Sequence, residues 1–175
     1  MSKRARQFER RKNDAYDTPY SAVVPLLDHL PTRVCFIEPC AGDGAIVRHL
    51  TQHGHHCVEA FDVEPRDDNV GHGDALTATA DPDADMFITN PPWTRELLHP
   101  MIVHLSAQLP TWLLFDADWA HTRQAVPYLK LCHKIVSVGR VKWIPDSPFT
   151  GKDNCAWYLF DAWQFAETVF IGRTT

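Results

Sequence analysis

Short apolar runs alternate along this chain with segments whose apolar residues recur at helical spacing. The run RVCFIEPC (33–40) is β-branched and aromatic and stops at a proline, which predicts a buried strand. GAIVRHLTQHG (44–54) has apolar residues at 45, 46, 47 and 50 and ends on Gly54, which predicts a helix with a glycine C-cap. HCVEAFDVEP (56–65) predicts a second strand, NVGHGDAL (69–76) a short third and ADMFITNPPW (84–93) a fourth. TRELLHPMIVHLSAQLP (94–110) predicts a helix opened by Thr94 and stopped by Pro110, with Pro100 inside as a place to kink. TWLLFDADW (111–119) predicts a strand, followed by a helix near 121–131. HKIVSVGRVKWI (133–144) and CAWYLFDAW (155–163) read as strands with only the turn-rich loop 145–154 between them.

Strand and helix in alternation imply a mostly parallel α/β sheet with helices on both faces. The final strand pair implies an antiparallel hairpin at one edge. A length of 175 residues fits one compact domain. No apolar run approaches the roughly 18–20 residues of a membrane span, and the N-terminus has no apolar signal core, so a cytoplasmic protein without membrane contact is expected. Cysteines 35, 40, 57, 132 and 155 are widely spaced and odd in number, which predicts reduced thiols. HGHHC (53–57) is not read as a metal site, because no second cluster completes four ligands. The net charge of −5 is uneven. Residues 1–13 hold six basic side chains between Lys3 and Lys12 against Glu9, a +5 segment that leaves −10 on the remainder. This segment reads either as an arm that touches phosphates or as a solvated terminus.

Candidate chemistry gathers at strand ends. FIEPCAGDG (36–44) ends a strand with Glu38, turns through Gly42 and Gly44, and enters a helix. Acids in and beside the turn suit a ligand with positive charge or amines better than a diphosphate. Asp62 closes the second strand, where a carboxylate can accept from a ribose diol, and Asp74 closes the third, where one can accept from an adenine amino group. After the fourth comes Asn90-Pro91-Pro92-Trp93. Paired prolines fix the backbone, so the Asn90 side-chain oxygen and the Pro91 carbonyl can be aimed in advance at the N–H bonds of a planar amine. Trp93 offers a face for a ring to stack on.

Together EPCAGDG, Asp62, Asp74 and NPPW resemble the class I S-adenosylmethionine-dependent methyltransferases, and NPPW the amino-methyltransferases among them, above all those acting on adenine N6 in DNA. DAYDTPYSAVVPLL (14–27) resembles the segment of those enzymes that folds over the cofactor's methionine end. Residues 139–161 are similar to the closing hairpin of small phage and prophage enzymes. The resemblance implies a Rossmann-like, seven-stranded sheet over residues 14–175 as a single methyltransferase domain, without a separate target-recognition domain. It implies S-adenosyl-L-methionine as cofactor, held by Tyr16, Thr18, Pro19, Glu38, Cys40, Ala41, Gly42, Gly44, Asp62, Val63, Asp74, Ala75 and Asn90. The catalytic set is Asn90, Pro91, Pro92 and Trp93.

Substrate contacts are expected from Trp93, Asp118, Trp119, Lys142, Trp143 and Lys152. Trp119 and Trp143 read equally as packing aromatics. Nucleic acid is the expected partner, DNA first, single- or double-stranded, with the protein a monomer or homodimer. RNA bases and a protein glutamine amide carry the same kind of amine and stay open. So does a non-catalytic cofactor-binding subunit that needs a partner.

Overall fold

The structure is a computed structural model that describes residues 16–144, 150–164 and 166–173. The basic segment 1–13 and residues 145–149 of the hairpin loop lie outside the described residues. In chain order the elements are α1 (Tyr20–Leu27), β1 (Cys35–Glu38), α2 (Ala45–Gln52), β2 (His56–Asp62), β3 (Gly71–His72), β4 (Met86–Thr89), α3 (Arg95–Ser106) and β5 (Thr111–Asp116). Two 3₁₀ turns (Ala117–His121 and Arg123–Ala125) follow, then α4 (Val126–Leu129), β6 (Cys132–Arg140), β7 (Asn154–Phe160) and β8 (Val169–Ile171).

The strands form one sheet in the order β3-β2-β1-β4-β5-β7-β6-β8. The first five run parallel, β7 is antiparallel to both its neighbours, and β8 lies parallel to β6. Period-two alternation sorts the core into two layers. Trp112 and Leu114 of β5 join Phe36, Ile88 and Trp157 under α1 and α2, while Leu113 and Phe115 join Ile37, Phe87 and Tyr158 under α3. Hence the central strands read as continuous apolar runs, since both faces are covered. Among the described residues, no helix is long and apolar enough to cross a membrane.

The structure departs from the sequence pattern at two places. The expected helix near 121–131 is broken, because Thr122 adopts extended backbone and its hydroxyl donates to the Trp119 carbonyl at 2.8 Å. That side-chain bond offers the chain an alternative to a helical turn. An eighth strand, β8, joins the predicted seven. Val169 and Phe170 are exposed, so no burial pattern announces it. Backbone pairing with β6 holds it, with Thr168 Oγ1 donating to the Cys132 carbonyl at 2.7 Å.

Two features of this fold position the site. The sheet order reverses between β1 and β4, and a crevice opens there outside the carboxyl ends of the strands. Helix α1 is tied to the sheet by the buried Trp157, whose Nε1 donates to the Ala22 carbonyl at 2.7 Å. Residues 16–19 enter α1, so this tie also anchors them. Replacing Trp157 by Phe removes the donor and part of a buried ring. The expected loss is about 1–3 kcal/mol, read as a lower urea midpoint at unchanged slope. An unchanged midpoint would show that the tie contributes nothing.

Candidate active site

The turn after β1 cannot be built from ordinary residues. Gly42 and Gly44 both have positive φ, 56° and 75°. A Cβ on Gly42 would also sit 2.6 Å from Arg66 Nη2. The Gly42 N–H donates to Asp62 Oδ2 at 2.9 Å, and its carbonyl accepts from the Arg66 N–H at 2.9 Å. The end of β1 is thereby bonded to the end of β2. Gly44, in the left-handed conformation, occupies the N-cap of α2.

Glu38 is 2% exposed and accepts from the Val47 N–H in the first turn of α2 at 3.1 Å. Burial raises its pKa well above the ordinary 4.5, the Val47 N–H opposes this, and Asp43 and Asp62 push it further up. Asp62 accepts from two backbone N–H groups, those of Gly42 and Glu64. Asp74 Oδ1 accepts from the Leu76 N–H at 2.9 Å. Among the described residues, ion pairs at the site engage Asp43, with Arg48, and Asp17, with Arg66, but not Glu38, Asp62 or Asp74. With Asp62 and Asp74 outside those pairs, the wall is acidic.

These groups enclose a cavity of about 310 Å³. Eleven of the predicted cofactor residues line it, namely Tyr16, Thr18, Glu38, Cys40, Ala41, Gly42, Asp62, Val63, Asp74, Ala75 and Asn90, while Gly44 and Pro19 do not. Gly44 acts at one remove, as the cap of α2, and Pro19 as the N-cap of α1. Cys40 is a wall residue: burial and the neighbouring Asp62 and Glu38 raise its pKa, which keeps it a thiol.

Residues 16–18 form a strap over the cavity. His49 Nε2 of α2 donates to the Thr18 carbonyl at 3.1 Å, and Asp17 pairs with Arg66 at 2.5 Å. Asp17, Arg66, Leu97 and Met101 also line the cavity; Asp17 lies within the 14–27 segment, and no sequence motif points to the other three. Leu97 and Met101 belong to the apolar stripe of α3, which by pattern alone is indistinguishable from core.

Asn90 and Pro92 line the cavity where β4 ends, and Pro91 is buried. The Asn90 carboxamide is held on both sides. Its Nδ2 donates to Thr18 Oγ1 at 3.1 Å, and its Oδ1 accepts from Trp93 Nε1 at 3.3 Å. Trp93 is half-buried and meets Trp143 edge-on, centroids 6.0 Å apart, and Tyr16 packs on Trp143 at 6.3 Å. Trp143 is itself gripped at the hairpin base, where the Gly151 N–H donates to the Val141 carbonyl at 2.8 Å.

None of the expected substrate residues lines the cavity itself: Trp93 and Trp143 lie beside Asn90, and the other four are placed elsewhere. Trp119 is buried, edge-on to Phe115, Tyr158 and Phe160, and its Nε1 donates to His99 at 3.1 Å. It packs in the core, the second of the two readings that the sequence allowed. Asp118 is exposed on the following 3₁₀ turn, its N–H closing a turn on Asp116. Lys142 and Lys152 are exposed on the two sides of the hairpin loop and do not line the cavity. Among the described residues, no group of three His, Cys, Asp or Glu is placed to hold a metal ion.

No protein-family model matches the sequence, and no curated protein matches it by sequence. Solved structures match by shape. One, from Listeria monocytogenes, assigned to the class I S-adenosylmethionine-dependent methyltransferases, aligns over 98% of this chain and 68% of its own, with 13% identity and a TM-score of 0.60. Another, from Pyrococcus horikoshii, assigned as an RNA methyltransferase, aligns over 90% and 93%, with 16% identity and a TM-score of 0.56. The methyltransferase subunit of a type I restriction-modification system from Streptococcus thermophilus aligns over 90% of this chain but 47% of its own, with 10% identity and a TM-score of 0.55. The chain has the Rossmann-like fold of these methyltransferases.

Glu38 generates a pH prediction. A carboxyl whose pKa is raised by folding contributes stability below its unfolded value, and that stability is lost as pH rises towards the folded value. Glu38→Gln keeps the acceptor for Val47 but cannot ionise. The stability of the wild type relative to this variant is expected to fall as pH rises from 4.5, in urea unfolding at a series of pH values. A difference that is flat with pH would contradict it.

Proposed function

We propose that this protein is an S-adenosylmethionine-dependent N-methyltransferase, and that its substrate is the exocyclic amine of adenine, at N6, in DNA. The observation that carries the reading is Asn90, whose carboxamide forms part of the wall of an acidic cavity at the switch point between β1 and β4.

The chemistry of the wall fits such a cofactor. Glu38 and Asp62 suit a ligand with a cationic centre, an ammonium group and a diol. Asp74 can accept from an aromatic amine, and Leu97 and Met101 offer an apolar surface. When bound, S-adenosylmethionine supplies an electrophilic methyl group on a sulfonium. The protein's own task is to make a poor nucleophile reactive. An aromatic amine delocalises its lone pair into the ring. Acceptors at Asn90 Oδ1 and the Pro91 carbonyl draw both N–H bonds out of that plane and free the lone pair. Asn90 need not act as a base, since the proton leaves only after the nitrogen has become cationic. Trp93, braced by Trp143, provides the stacking face.

The acidic body must also meet a polyanion. Six basic residues between positions 3 and 12 are the chain's densest run of positive charge. We assign these residues to phosphate contact. Specificity for sequence is expected to be low or to come from a partner.

Purified protein with radiolabelled cofactor, offered single-stranded DNA, duplex DNA, RNA and mixed protein, should label DNA as N6-methyladenine. Asn90→Ala should lower turnover by about 10²–10³-fold, the scale of removing one preorganised hydrogen-bonding group. It should still bind cofactor in calorimetry. Label in RNA or protein would overturn the substrate and keep the chemistry. Cofactor binding with no label in any substrate would favour a subunit that needs a partner. Deleting residues 1–12 should raise KM for a DNA strand and flatten its salt dependence by about 0.7 in log–log slope for each phosphate that the arm neutralises. An unchanged slope would remove the arm from the interface.

A further inference from the structure

We infer that Thr18 and Trp93 are positioning residues that fix which way the Asn90 carboxamide faces, so that its oxygen rather than its NH₂ is offered to the target amine. The inference rests on the proposed methyl transfer and adds to it the means by which the acceptor is aimed.

A carboxamide turned over by 180° has almost the same shape but the opposite hydrogen-bonding sense. With the NH₂ presented, donor would face donor at the amine and the nitrogen lone pair would not be freed. Nothing within Asn90 prevents that flip. Trp93 opposes it, and Thr18 holds the orientation that Trp93 selects. An indole N–H can only donate, so Trp93 Nε1, 3.3 Å away, specifies oxygen on its side. The Thr18 hydroxyl can donate or accept, and with the oxygen turned to the indole it accepts from Nδ2 at 3.1 Å, a bond that completes the grip on the other side; Thr18 is 4% exposed. A flipped amide would set NH₂ against the indole N–H. An amide oxygen has two lone pairs, so Oδ1 can hold the indole N–H and still accept from a substrate. Trp93 therefore has two roles, a ring to stack on and an N–H that orients its neighbour, and phenylalanine would keep only the first. Thr18 is held in turn by His49, which donates to its carbonyl. The aim of Asn90 thus depends on the strap being seated over the cavity, across 72 residues of sequence.

The test uses Thr18→Val, Thr18→Ser and Trp93→Phe in the full chain. Thr18→Ser keeps the acceptor, and Thr18→Val keeps the volume without it. Two readouts are needed. In ¹⁵N NMR, the Trp93 indole N–H, assigned by its disappearance in Trp93→Phe, should be protected from solvent exchange in the wild type and in Thr18→Ser. It should exchange freely in Thr18→Val. In label transfer to the same set of substrates, Thr18→Val and Trp93→Phe should lower kcat about tenfold, the scale of removing one hydrogen bond. The loss in kcat should exceed any loss in cofactor affinity, and Thr18→Ser should restore kcat. Free exchange of the indole N–H in the wild type overturns the inference. So does a Thr18→Val variant that loses cofactor affinity while keeping kcat, since Thr18 would then serve the cofactor alone. A wild type that transfers to no substrate sinks the proposed function and this inference with it. A wild type that transfers, with Thr18→Val its equal, sinks the inference only.

Discussion

Because β1, β2, β3 and β4 run parallel, their carboxyl ends share one edge of the sheet, and whatever residue ends each strand is delivered to the same crevice. Glu38, Asp62, Asp74 and Asn90 are far apart in sequence and have this geometry in common. An antiparallel sheet of the same composition would have sent alternate strand ends to opposite edges. The reversal of order between β1 and β4 then opens the crevice, since the connections on its two sides lead away in opposite directions. The cavity follows from the handedness and direction of the strands before any side chain is chosen.

Bringing acids together at that edge costs desolvation and mutual repulsion. The fold offsets the cost locally, through backbone donors more than cations. The Val47 N–H serves Glu38, and the Gly42 and Glu64 N–H groups serve Asp62. Arg66 lies over Gly42 but is paired with Asp17 of the strap. Neutralisation of the inner wall is therefore incomplete. A surplus held in place by rigid backbone bonds is a standing preference for a cation, present before any ligand arrives. The Asp17–Arg66 pair also ties the strap to the β2 end, so closing the cavity and holding Thr18 near Asn90 are one structural event.

Legibility in the sequence tracked this geometry. Strand ends could be read because an apolar run that stops at an acid, a glycine turn or paired prolines leaves a mark in one dimension. The seven predicted strands and the acids at 38, 62 and 74 were visible for that reason. Contacts made across the crevice left no such mark. Arg66 is an ordinary surface charge by pattern, and Leu97 and Met101 belong to a normal amphipathic stripe. Trp119 follows a strand end much as Trp93 does, yet it folds back into the core. The difference lies in the prolines. Pro91 and Pro92 keep the chain extended past β4, whereas the Asp116–Asp118 turn after β5 winds into a 3₁₀ helix that carries Trp119 inwards. Strand β8 escaped because backbone pairing, aided by the Thr168 hydroxyl, holds it and two of its three side chains are exposed.

On the proposed reading, charge and aromatic content divide the work of substrate recognition. An acidic rim repels phosphates within a Debye length, about 8–10 Å at ordinary ionic strength. A polynucleotide must then be held either by cations placed away from the rim or by its bases. Tyr16, Trp143 and Trp93 form a continuous aromatic series beside Asn90, and stacking on such rings is indifferent to the sign of the nearby field. Stacking also needs an unstacked base. A strand whose bases are already free meets that condition without the cost of flipping one out of a duplex. Because Trp143 belongs to the hairpin and Tyr16 to the strap, the aromatic series also joins the substrate side of the crevice to the segment that closes the cofactor side.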